Sequence, residues 1–172
     1  MPSLSHDYFA QTIILICEHG TNGAMGLIVN RPTDISLRVF FAELNIKLDL
    51  LVDEAYVFEG GPVSQHQGFI VHSQDTNFPD PDLIISPTLA LSTSTDMLNS
   101  IADGKPPANF LVALGCASWG AGQLEQELKD HAWLTVPAQS SILFETPAEE
   151  RLLAAGGLLG FDFRLISKPG NA

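Results

Sequence analysis

NFLVALGCASWGAGQLEQEL, residues 109–128, decides the fold. Its first seven residues are a continuous apolar run, the pattern of a strand inside a sheet covered on both faces. Such a strand needs neighbours on either side and packing layers above and below, so the run belongs at the centre of a sheet. The second half reads as a helix. Leu124 and Leu128 share a face, and Glu125 can pair with Lys129 at i, i+4. The expected path is a buried strand ending near Gly115, a turn, and a helix starting near Gly120 with Ser118 as its cap and Trp119 in the core. The free N–H groups of that helix could hold an anion or an oxyanion, and a nearby helix N-terminus would lower the pKa of Cys116. Against a nucleophile, the spacing from Gly115 to Ser118 is one residue too long for a G-x-S-x-G elbow. The corner is the preferred reading, with a ligand pocket at the helix N-terminus as the second.

Working outward, Ile13 to Cys17 form an apolar strand between polar ends, and MGLIVNRP is a second strand stopped by Asn30 and Pro32. SLRVFFAELN has helical spacing, with Leu37, Phe40, Phe41 and Leu44 on one face. AYVFEGG and GFIVHS read as strands paired through a loop. DLIISPTLALSTS holds strand pieces broken at Pro87, and TDMLNSIADG is a helix capped by Ser94 or Thr95 and stopped near Gly104. AWLTVPA and SILFET are expected to form strands, as a hairpin. Thr146-Pro147-Ala148-Glu149 matches a helix start, with Thr at the cap, Pro at N1 and Glu at N3. That helix is expected to cross Gly156-Gly157 and end at Gly160, and FDFRLIS alternates as a half-exposed strand. The tally of about eight strands and four helices, mixed in order, predicts an α/β (α+β) fold around one central sheet. Neighbouring strands without intervening helices mean the sheet is not all parallel.

The 172 residues suggest one domain over 1–172. A chain of this size buries roughly 70% of its unfolded surface and needs no disulfide or metal staple. The two cysteines, Cys17 and Cys116, lie in apolar runs and read as buried free thiols of a cytosolic protein. The start of the sequence has no signal-peptide pattern, and no apolar run reaches the length of a membrane span. Net charge is −12, and the eight basic residues are scattered singly. Phosphate neutralisation needs clustered Lys and Arg, so direct nucleic-acid binding and attraction to anionic membranes are both disfavoured.

Cys17-Glu18-His19 invites a catalytic reading. Strand alternation points Cys17 and His19 one way and Glu18 the other, so a thiolate–imidazole pair is conceivable. The plainer reading is a core cysteine followed by a polar strand end. His66 and His72 match no zinc spacing, and no CxxC is present, so no metal is assigned. Gly23-Ala24-Met25-Gly26 precedes a strand rather than following one, and Gly60-Gly61-Pro62 opens no helix. Both read as turns, and no nucleotide or other cofactor is assigned.

Several segments resemble the AlgH-like proteins, a widespread bacterial family of uncharacterised function in which some members carry a transcriptional-regulator label through a genetic link to alginate production. They are MPSLSHDYFAQTIILICEHGTNGAMGLIVNRP, GGPVSQHQGFIVH, LGCASWGAGQLEQELKDHAWLTVPA and ILFETPAEERLLAAGGLLG. The resemblance implies a compact fold with a bulged, strongly twisted sheet and a cytosolic bacterial protein. It brings no reaction and no catalytic residues. Three departures stand out. The family usually has a short apolar strand before Met1-Pro2, a tyrosine at the position of Cys116, and an asparagine where this chain has Gly20. The tyrosine argues against Cys116 as a nucleophile.

Carried onto this chain, the polar motif positions are Glu18, His19, Asn30, Arg31, His72, Gln123 and Glu125. Strand ends are where such folds place ligand sites, and one pocket shared by Glu18, His19, Asn30 and Trp119 is expected. The functional expectation is a non-enzymatic binding or regulatory protein acting through a protein partner or a small ligand. A thiol- or histidine-dependent hydrolase and a DNA-binding regulator are the alternatives.

Overall fold

The computed structural model describes residues 8–48, 55–74 and 80–160. The expected strand over FDFRLIS lies outside the described residues. The architecture is the expected mixed, bulged α+β sheet, rolled until it nearly closes on itself. Its strands are β1 (Ile14–Gly20), β2 (Gly23–Ile28), β3 (Pro32–Ser36), β4 (Tyr56–Glu59), β5 (Val63–Ser73), β6 (Leu83–Ser86), β7 (Leu89–Ser92) and β8 (Phe110–Gly120). The order is β1-β2-β8-β5-β7-β6, antiparallel throughout. β4 runs parallel to β8 and carries β3 on its far side. The two ends of the path, β1 and β6, come into contact, which makes the sheet barrel-like.

β8 is the spine, as its apolar run predicts. Leu111 and Ala113 point into the barrel with Leu15, Leu27, Val71 and Leu91. Phe110, Val112 and Leu114 point outward against α1 (Leu37–Glu43) and α2 (Thr95–Ala102). Burying a Leu or Val on either face contributes about 1.5–3 kcal/mol relative to exposure. Both outer helices are held at their starts by a serine. Ser36 accepts from the Val39 N–H and Ser94 from the Met97 N–H, each at 3.3 Å. Leu37, Phe40 and Phe41 form the buried face of α1, while Leu44 sits past its end and is 44% exposed.

The structure corrects several local expectations. β4 and β5 do not pair with each other: each pairs with β8, and since β5 occupies one edge, β4 takes the other. AWLTVPA is not a strand, because Trp133 turns toward Trp119 and Leu134 is left 55% exposed. SILFET is a helix, α4 (Ser140–Phe144), whose Leu143 and Phe144 pack against the barrel core. Tertiary packing here overrides a β-prone composition. Thr146 does not cap the next helix; its hydroxyl donates back to the Ser141 carbonyl at 3.1 Å. A 3-10 turn over Ala148–Glu150 leads into α5 (Arg151–Gly157), and Gly160 follows at φ +73°.

Gly60-Gly61 is more than a turn. The Gly60 N–H donates to Leu114 at 2.8 Å and its carbonyl accepts from Ile28 at 2.8 Å, which ties β2 to β8. A Cβ on Gly61 would overlap the Cys116 carbonyl, and one on Gly115 the Gly61 carbonyl. Both glycines are required by the close approach of two backbones.

Candidate functional site

β8 does not end at Gly115. It kinks there, at φ +74°, and continues to Gly120. Six residues of β5, from Val63 to Gly68, lie opposite only three of β8, from Leu114 to Cys116. The bulge shifts the alternation by one. Cys116 therefore joins Leu111 and Ala113 inside the barrel, and Ala117 and Trp119 face out. That shift delivers the Trp119 ring to α3 (Gln123–Lys129) on the outer surface.

The start of α3 differs from expectation. Gly122, at φ 75°, is the cap residue and offers no side-chain bond, and Ser118 is exposed on the strand. Gln123 takes the capping role, its Oε1 accepting the Gly120 N–H at 3.0 Å. The helix has seven residues and carries Glu125 in its first turn, so it presents no anion cradle. The polar centre lies one turn further on, at Glu127. Its Oε2 accepts the Trp119 indole N–H at 2.9 Å and the Trp133 indole N–H at 2.7 Å. Its Oε1 accepts the Gln123 amide at 2.9 Å. Burial works to raise the Glu127 pKa, but the bonds from Trp133, Gln123 and Trp119 outweigh it and leave the carboxyl below its ordinary value. Phe9 packs edge-on to Trp133, at 5.8 Å between centroids, and Trp133 edge-on to Trp119 at 6.0 Å. These three rings, with Ser118, Gln123, Glu127 and Ala132, line a cavity of about 320 Å³.

Of the expected site residues, Trp119 and Gln123 line this cavity. His19 and Glu125 meet beside it, His19 Nε2 lying 2.6 Å from Glu125 Oε1, with both side chains nearly half exposed. The backbone N–H of Glu125 itself and His19, in that order, hold the Glu125 carboxyl below its usual range. Lys129 adds only its charge, so the expected i, i+4 ion pair is not formed. Cys17 and His19 do not share a face. Cys17 is the extra residue of a bulge between Ile16 and Glu18. It packs inside the barrel, whereas His19 pairs with Ala24 on the outer, α3 side. Glu18 is exposed opposite Met25.

Asn30 and Arg31 are occupied elsewhere. Asn30 accepts from the Ile13 N–H and donates to the Gln11 carbonyl, each at 2.9 Å. Arg31 donates to the carbonyls of Tyr8, at 2.6 Å, and Ala10, and stacks over the Tyr8 ring. Together they staple residues 8–13 to the sheet. His72 is buried on β5 and bonded through both nitrogens, to the Ser73 carbonyl and the Ser92 hydroxyl at 2.9 Å each. The expected pocket uniting Glu18, His19, Asn30 and Trp119 is therefore not assembled. Among the described residues no group of three or more His, Cys, Asp or Glu could hold a metal ion.

Glu127, Trp133 and Phe9 were missing from the expected site. Glu127 had a signal in Gln123–Glu127, an i, i+4 polar pair on the same helix as Glu125. The strand reading of AWLTVPA hides Trp133, and the approach of Phe9 to Trp133, 124 positions further along the chain, has no local signature.

A model of the AlgH-like family matches residues 1–164. A UPF0301 protein of Chromobacterium violaceum is 44% identical over 171 residues, covering 97% of this chain and 90% of that protein. One from Chromohalobacter salexigens is 46% identical, covering 98% and 91%. The solution structure of the AlgH protein from Pseudomonas aeruginosa superimposes with a TM-score of 0.77 at 41% identity, covering all of this chain and 92% of that one. The crystal structure of DIP2367 from Corynebacterium diphtheriae shares the fold, with a TM-score of 0.68 at 21% identity over 88% of this chain and 78% of that one.

Proposed function

This chain belongs to the AlgH-like family, and on that premise we propose that it is a binding protein, its site the aromatic and carboxylate cavity at the end of β8, its target a positively charged group on a small ligand or a partner. One observation carries the reading: the Glu127 carboxylate lines the cavity while three neutral N–H groups hold it ionised. Neutral donors satisfy lone pairs but do not cancel the charge, so the cavity stays negative. Aromatic rings attract cations through their faces, by about 0.5–2 kcal/mol each according to desolvation. The net charge of −12 draws cations toward the whole molecule.

Two other readings are weaker. A thiol enzyme needs an accessible thiolate, yet burial, and then the neighbouring Cys116, push the Cys17 thiol up to about 12. Burial likewise raises Cys116. A DNA-binding regulator accords poorly with a net charge of −12 and eight basic residues scattered singly along the sequence, since phosphate contacts call for clustered Lys and Arg. A cytosolic location accords with two free, buried cysteines; among the described residues, no helix is long and apolar enough to cross a membrane.

Choline against its neutral isostere 3,3-dimethylbutan-1-ol is the direct test, read by the fluorescence of Trp119 and Trp133. Saturable change with choline alone is expected, weakened about tenfold or more by Glu127→Gln. Equal response to both probes, or none to either, would overturn the cationic reading.

A further inference from the structure

A second cavity, of about 380 Å³, lies among β4, the start of β8, α4 and Arg151. Its walls are largely apolar, with Leu37, Phe58, Phe110 and Phe144, and with Tyr56 and Asn109 at an exposed rim. Among the described residues, Arg151 is the one charged side chain that lines it. Arg151 is only 7% exposed. Its Nε donates to the Thr146 carbonyl at 3.0 Å, its Nη1 donates to the Val29 carbonyl, and the guanidinium lies over the Phe58 ring at 5.0 Å from the centroid. These partners are neutral. Among the described residues no carboxylate is in ion-pair contact with it, and Nη2 has no hydrogen-bond partner. Glu149 acts on it only from a distance.

A guanidinium stays protonated even when buried, and a buried charge is ordinarily matched by an opposite one. Here the cation is fixed by two backbone carbonyls and a ring, with its remaining nitrogen uncommitted, on the wall of an aromatic cavity. We infer that this cavity binds a small apolar carboxylate, an aryl or alkyl carboxylic acid whose anionic head meets Arg151 and whose body packs against Phe58, Phe110 and Phe144. The cavity selects for shape through its rings and for charge through one fork-shaped donor. It differs in position and in sign from the Glu127 cavity, so each reading stands or falls without the other.

The test titrates 3-phenylpropanoate, and separately its neutral amide, into the full chain, followed by backbone amide NMR. The acid is expected to give saturable shifts at Tyr56, Phe58 and Phe110, with the amide binding at least about tenfold more weakly. Arg151→Lys keeps the charge but loses the fork, and is expected to weaken the acid about tenfold. Because Arg151 also holds Val29 and Thr146, that variant can lose its fold. The acid–amide comparison on the unaltered protein decides the matter without it. Equal affinity for acid and amide, shifts that never saturate, or shifts confined to Trp119 and Trp133 would each overturn the assignment.

Discussion

Cys17 and Cys116 face the same barrel interior, and that placement sets their chemistry. A thiol reacts as thiolate, and both are held protonated by burial. Neither is expected to label with iodoacetamide at pH 8 in the folded protein, and both should label in denaturant; labelling of the folded chain at a free-thiol rate would refute this placement. The shift also has a stability consequence. Cys17 keeps its proton up to about 12 when folded, against an ordinary 9.0. Its contribution is whole below pH 9 and is lost as pH rises from 9 toward 12. Tyr8, raised to about 12 by burial and then by its bond to Glu59, adds to the decline over the same upper range. The polar character of the segment after Cys17 was legible in the sequence, but its directions were not. One bulge put Cys17 and His19 on opposite sides of the sheet.

Among the elements, β8 shows how a single backbone position governs a site. Gly115 lets the strand change alternation halfway, so that its first half fills the barrel and its second half presents Trp119 to α3. Gly115→Ala forces a left-handed backbone on a side chain and drives its Cβ into the Gly61 carbonyl. A loss of roughly 2–4 kcal/mol is expected by denaturant unfolding, with Trp119 emission shifted to the red; a stable variant with unaltered emission would contradict the bulge. Element identity was read well where one face is strongly apolar, as in α1, α2, the β6–β7 pair and β8. It failed over AWLTVPA and SILFET, where short apolar stretches serve a helix or a loop as readily as a strand. Trp133 and Leu143 are placed by what they touch, not by what precedes them.

For the whole molecule, charge sets the terms of association. With a net charge of −12 and its basic residues dispersed, the chain is expected to show no binding to duplex DNA by fluorescence anisotropy even at about 50 mM salt, where phosphate contacts are strongest. Measurable binding there would revive the regulator reading. The two cavities bear opposite signs on one small barrel, Glu127 in one and Arg151 in the other. That division is invisible in composition, since both residues sit in ordinary acidic and helical surroundings along the chain.

By itself the sequence determined the mixed character of the sheet, the central place of β8, the helices α1 and α2 and the family. These follow from local periodicity and from motifs that span nearly the whole chain. Only the tertiary structure decided that the sheet curls until β1 meets β6, that β4 and β5 flank β8 rather than each other, and that Glu127, Trp119, Trp133 and Phe9 share a cavity. The reason is physical. Strand pairing and bulges depend on contacts between residues far apart in the chain, and a shift of one residue sends every later side chain to the other face.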